Sequence, residues 1–105
     1  MSDKYILVNG VPTPEPDLDK WASWFEKIGE GRRVAKTVVG NVEVSTVFLG
    51  LDHNFGEGPP ILYETMVFGG PLDHEEDRYS TAEEAKKGHE AMVERVRGAN
   101  GKETE

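Results

Sequence analysis

The chain contains no cysteine. That excludes disulfides, thiolate zinc sites and cysteine nucleophiles. It also lacks any apolar run near the roughly eighteen residues that a membrane-spanning helix needs. Its opening, MSDKYILVNG, is too briefly apolar and too poor in basic residues to read as a signal peptide. Basic residues are scarce overall: 12 Lys and Arg against 20 Asp and Glu leave a net charge of −8. Binding to nucleic-acid phosphates needs the opposite balance, so direct DNA or RNA binding is not expected. Phosphate-loop, dinucleotide, nucleophile-elbow and zinc-protease motifs are absent, and so are internal repeats. No cofactor and no dedicated metal site are therefore expected.

A chain of 105 residues suits one small domain. The reading is a single domain over residues 1–98 followed by a frayed polar tail at 99–105, in a cytoplasmic setting. Only 36% of the residues are hydrophobic. Small cores gain little from burial, and a homodimer would add to it.

The elements follow from patterning. YILV, residues 5–8, reads as a first strand, and the prolines of VPTPEPD as a stiff connector or an edge. Asp17 reads as an N-cap. Leu18, Trp21, Phe25 and Ile28 then recur at helical spacing, with Gly29 and Gly31 as the stop. Trp21 and Phe25 read as core anchors, and Trp24 as a residue of a surface or interface. Residues 32–51 are rich in β-branched side chains around a Gly40-Asn41 hairpin turn. That turn pairs Val39 with Val42, Thr37 with Val44, Ala35 with Thr46 and Arg33 with Phe48. Residues 61–70 form a further strand, LDHEEDRY a charged loop, and Thr81 with Glu84 a capping box for a second helix ending at Gly98. The order is β-α-β-β-β-α. The fold class is α+β, a mostly antiparallel four-stranded sheet with two helices packed on one face.

Four places could carry a site. GLDHNFGEGPP sets Asp52, His53 and Asn54 side by side between strands. Neighbours on an extended segment point apart, and Asp and Asn are common turn residues, so a long hairpin connection competes with a reactive loop. Glu64 lies in a strand whose alternate positions, Leu62, Met66 and Phe68, are apolar. A carboxylate there needs a partner, and Arg33 or His89 could supply one. His89 falls on the apolar stripe of the second helix, where it reads as a satisfied core histidine or as a partner of Glu64. Gly69-Gly70 with Asp73, His74 and Arg78 forms the last cluster. A metal hydrolase assembled from Asp52, His53, Glu64, His74 and His89 would match no known ligand spacing.

The segments VSTVFLGLDHNFG, ETMVFGG and YSTAEEAKKGH carry a resemblance that covers roughly residues 18–96. They resemble a widespread group of small uncharacterised proteins of bacteriophages and prophages. The resemblance implies the cytoplasm of an infected host and action by binding, and it carries over no catalytic residue. The expected function is non-enzymatic binding of a host protein through an acidic, partly aromatic surface. Binding of a small signalling molecule, with Arg32, Arg33, Lys36 and Arg78 as cations, is the first alternative, and a metal-dependent hydrolase using Asp52, His53, Glu64 and His89 the second. The candidate binding residues are Trp24, Asp52, His53, Asn54, Glu64, His89, Arg33 and Arg78.

Overall fold

Val42, Val44, Thr46 and Phe48 alternate along one strand, and all four side chains are buried. The computed structural model, which describes residues 3–54 and 56–104 with side chains to Ala99, builds its main sheet around that strand. The strands are β1 (Tyr5–Val8), β2 (Val11–Pro14), β3 (Arg33–Val39), β4 (Val42–Phe48), β5 (Tyr63–Phe68) and β6 (Glu76–Tyr79). The helices are α1 (Leu18–Ile28) and α2 (Ala82–Thr104). A single 3-10 turn, Gly29–Arg32, joins α1 to β3.

The fold is α+β, with a four-stranded antiparallel sheet of order β3-β4-β5-β6 and helices packed against it. The membership of that sheet differs from the pattern reading in two strands. YILV does not return to it, because β1 pairs with β2 as a separate two-stranded ribbon. Prolines two apart remove donors from one edge of a strand only, so Pro12 and Pro14 leave the other edge of β2 free to pair. The fourth strand of the main sheet is instead β6, EDRY, from the segment read as a charged loop. β6 is an edge strand, and charge on an edge is a common guard against unwanted pairing. The complete strand and helix order is thus β-β-α-β-β-β-β-α.

The β3–β4 hairpin has the expected register from Val39↔Val42 to Ala35↔Thr46. A bulge between Arg33 and Ala35 then pairs Arg33 with Val47 rather than Phe48. One extra residue in a strand shifts every later pairing, which is what a bulge does.

The sheet's inner face packs on α2. Val42, Val44 and Val67 meet Met92, Val93 and Val96 in one cluster. Phe48, Leu62, Tyr63 and Ala85 form the second, flanked by Tyr5, Leu7 and Trp24. α2 starts as expected: Thr81 Oγ1 accepts from the Glu84 amide, while the Glu84 carboxylate accepts from the Thr81 amide, both at 3.1 Å. It does not stop at Gly98 but runs to Thr104. A helical glycine costs about 1 kcal/mol, which by itself does not end a helix.

α1 is capped by Asp17, whose Oδ1 accepts from the amides of Asp19 and Lys20 at 2.9 and 3.1 Å. It ends at Gly29, with φ +48°. No α1 residue is fully buried. Trp21 and Phe25 are half-buried, and α1 lies at the Phe48 end of the sheet rather than across its face. Among the described residues, no helix is long and apolar enough to cross a membrane.

Candidate functional site

The 50–61 segment is a seam as well as a connection. Gly50 is buried, and its carbonyl accepts from the Tyr5 amide at 2.9 Å and from Trp21 Nε1 at 3.0 Å. The Asp52 amide donates to the Asp3 carbonyl at 2.8 Å. The chain before β1 is thereby stitched to the start of the loop. Asp52 then closes the loop's neck, since its Oδ1 accepts from the amides of Asn54 and Ile61 at 2.8 and 2.9 Å. Asn54 Nδ2 donates to the carbonyls of Glu57 and Pro59, and its Oδ1 accepts from the Gly56 amide. His53 Nδ1 lies 2.9 Å from the Leu51 carbonyl. The three polar side chains thus hold their own backbone, which is how Asp and Asn build turns.

Glu64 faces away from α2. The buried side of β5 is Tyr63, Thr65 and Val67, and Glu64 shares the outer face with Met66 and Phe68. The face with Met66 and Phe68, which looks the more apolar in the sequence, is therefore not the one that β5 turns to the core. The reason is that threonine and tyrosine can be buried when their hydroxyls are paired. The partner of Glu64 is neither Arg33 nor His89 but Arg78, directly across on β6, whose Nε donates to Glu64 Oε2 at 2.9 Å. That bond, more than any other influence, pushes the Arg78 guanidinium above its ordinary pKa.

His89 is 5% exposed and lies on the inner face. Its Nε2 is 2.9 Å from Thr37 Oγ1 and its Nδ1 2.7 Å from Thr46 Oγ1. Thr46 Oγ1 in turn meets Thr65 Oγ1 at 2.5 Å, and the Tyr79 hydroxyl donates to Thr65 at 3.2 Å. The chain Thr37–His89–Thr46–Thr65–Tyr79 crosses all four strands of the sheet, beneath one helical residue. If each hydroxyl passes its proton along from Tyr79, Thr46 donates to Nδ1 and His89 donates from Nε2 to Thr37. Burial lowers the His89 pKa below its ordinary value, with the nearby Glu90 carboxylate opposing. A neutral imidazole suits this proton order, in which Nδ1 accepts.

Space for Tyr79, the last link of the chain, comes from the residue before His89. Gly88 lies against Tyr79, and even a methyl group there would come within 2.2 Å of the Tyr79 ring and hydroxyl. The hydroxyl chain was not legible in the sequence. Its one signal is that Thr37, Thr46 and Thr65 have the same strand parity as the buried valines.

Trp24 packs edge-on against Phe48, with ring centroids 5.9 Å apart and planes at 88°. Arg33 lies in the bulge, paired with Glu30 at 3.3 Å. The eight candidate residues therefore fall in separate places. Asp52, His53 and Asn54 share the loop, Glu64 and Arg78 share the outer face, His89 is on the inner face, and Trp24 and Arg33 are at the α1 end. Among the described residues, no group of three or more His, Asp or Glu side chains is placed to hold a metal ion.

Two surface grooves are formed among the described residues. One, of about 390 Å³, is lined by Thr37, His89, Glu90, Val93, Glu94 and Arg97. The other, of about 350 Å³, is lined by Phe25, Gly29, Glu30, Arg32, Arg33 and Val47. The outer sheet face carries exposed apolar side chains. Across it run Val38, Glu43 and Phe68 in register, then Lys36, Ser45, Met66 and Glu76. Val38 is 61% exposed and Phe68 45%. No family model, no curated protein and no solved structure matches this chain.

Proposed function

We propose that the chain is a non-enzymatic binding protein of bacteriophage type that docks on a basic protein of the host cytoplasm through its outer sheet face. The single observation that carries the reading is the exposure of Val38 and Phe68, side by side across Glu43 on a face that α2 leaves bare. Exposed apolar side chains set among polar ones are common in protein-binding patches. The ion pairs Lys36–Glu43 and Glu64–Arg78 share the face, with Glu43 between Val38 and Phe68. After Phe68 the chain turns through Asp73 and Glu75 into Glu76 and Asp77 of β6. With a net charge of −8, that turn favours a cationic partner and its rapid, salt-sensitive capture.

The aromatic anchor in this reading is Phe68, not Trp24, which is engaged with Phe48. The test is retention of a partner from host extract by the immobilised chain. A basic protein should be held at low salt and released as salt rises through a few tenths molar. The double variant Val38→Asp, Phe68→Asp should not hold it. A partner retained equally by that variant and at high salt would sink the proposal.

A further inference from the structure

β3 is the last strand on its side of the sheet. Its hairpin turn closes on the pair Val39↔Val42. In an antiparallel ladder bonded and non-bonded pairs alternate, and the pair that closes a two-residue loop is a bonded one. Val39, Thr37 and Ala35 therefore turn their main-chain groups to β4, while Lys36 and Val38 turn theirs outward. Among the described residues no strand lies beyond them, and no other segment bonds to their amides or carbonyls. The register is regular from Ala35 to Val39, so the bulge at Arg33 does not interrupt this stretch. Unmade main-chain bonds on a regular edge are a template for a further strand. α2 runs alongside. Its Gly88 and Arg95 meet Tyr79 and Glu75, at the β6 side of the sheet. Its opposite flank, with Glu90, Glu94 and Arg97, forms the groove of about 390 Å³ together with Thr37 of β3. That groove therefore lies on the inner face, along the open edge.

We infer that β3 takes up an extended segment of the basic partner as a further strand, and that this segment carries a Lys or Arg preceded by an apolar residue. The inference rests on the docking reading for the partner's charge, and it specifies how that partner is held. Added antiparallel, the segment bonds through its main chain to Lys36 and Val38, and the residue between those two pairs stands opposite Thr37. Its side chain shares the face of Thr37 and enters the groove. Glu94 is held there by Arg97 at 2.7 Å, while Glu90 has no ion-pair partner among the described residues. A long cationic side chain fills that space and answers Glu90. The preceding residue stands opposite Val38, which is 61% exposed, and an apolar side chain covers it. A second copy of this chain fits less well. Pairing two β3 strands sets Thr37 against Thr37, a short uncharged side chain that leaves the groove open, or Lys36 against Lys36, like charges directly opposed.

The experiment adds two blocked pentapeptides, Thr-Val-Arg-Thr-Thr and Thr-Val-Glu-Thr-Thr, separately to the full chain and follows the backbone amides by NMR. The arginine peptide should shift the Lys36 and Val38 amides in a saturable way and slow their hydrogen exchange. It should bind about three- to tenfold more tightly than the glutamate peptide, as an exposed charge contact implies. Glu90 is exposed, and Glu90→Arg should reverse that order. Val38→Pro removes an outward donor without touching the ladder to β4, and it should abolish binding. Phe68→Asp should leave peptide binding unchanged. Unmoved Lys36 and Val38 amides at millimolar arginine peptide overturn the inference, and so does equal binding of the two peptides before and after Glu90→Arg. Protection of those amides that grows with protein concentration, without peptide, also overturns it, because a second copy then holds the edge. A basic protein retained by the immobilised chain while both peptides fail removes this inference and leaves the docking reading standing.

Discussion

Gly88 and Tyr79 are in direct contact: a methyl group on Gly88 would lie within 2.2 Å of two ring carbons and the hydroxyl oxygen of Tyr79. Helix propensity favours alanine over glycine by about 1 kcal/mol, yet Gly88→Ala should destabilise the protein by about 1–3 kcal/mol, because overpacking outweighs propensity. Gly98, on the same helix, has nothing within 4 Å of its Cβ position. Gly98→Ala should stabilise by about 0.5–1 kcal/mol. Urea unfolding of the two variants measures both, and equal effects would contradict the packing argument.

The stability should fall in mild acid. His89 is held neutral, with its folded pKa below the unfolded value of about 6.5. A depressed histidine contributes stability that is intact above about pH 6.5 and is lost as pH falls toward the folded pKa. The unfolded chain binds the proton first in that window. Thr37, Thr46 and Thr65 are neutral, and Glu90 is the acid opposing the shift. Unfolding curves at pH 7.5 and pH 5.5 should differ, and His89→Gln should narrow the gap. An unchanged gap would assign the acid sensitivity elsewhere.

Thr46 is the central link of the buried chain, touching both His89 and Thr65. Thr46→Val keeps the shape but removes the hydroxyl, leaving His89 Nδ1 without its partner. The cost should be about 1–3 kcal/mol, the range for a buried polar group left unsatisfied. In a double-mutant cycle with Thr65→Val, the two losses should add to less than their sum, since the second cut removes a bond already broken.

Asp52→Ala should cost about 1–2 kcal/mol, since its carboxylate holds the Asn54 and Ile61 amides at once. Asp52→Asn keeps an acceptor oxygen in place and should cost clearly less. Thermal unfolding would measure both. Equal losses would mean that the negative charge, rather than the acceptor, is what the loop requires.

The pattern was most readable where alternation and a turn signal coincide, as in β3 and β4, whose register was legible from Val39 down to Ala35. It was silent where geometry depends on one inserted residue, as at the Arg33 bulge. β6 went unseen because an edge strand needs no apolar alternation, and EDRY has none. The face that Glu64 shares with Met66 and Phe68 was legible from alternation, but which face of β5 is buried was not, because Met66 and Phe68 look more apolar than Thr65 and Tyr63. The buried side was chosen instead by hydroxyls that find partners. His89 was legible as a satisfied core histidine, but its threonine partners lie on other strands and leave no local mark. The loop residues were legible as turn formers, and it was the tie from Gly50 to Tyr5 and Trp21 that local sequence could not reveal.

The Trp21 indole joins two segments, donating to the carbonyls of Tyr5 and Gly50 at 3.1 and 3.0 Å. The second tryptophan, Trp24, is on the same helix. The tryptophan fluorescence of this chain, excited selectively beyond the tyrosine band, therefore comes entirely from α1 and reports whether the N-terminal layer is attached. Far-ultraviolet dichroism is dominated by α2 and the four-stranded sheet. With no fully buried side chain on α1, detachment of that layer is an event that fluorescence would register and dichroism would largely miss. Non-coincident melting curves would then measure how cooperatively the two parts of this small domain hold together.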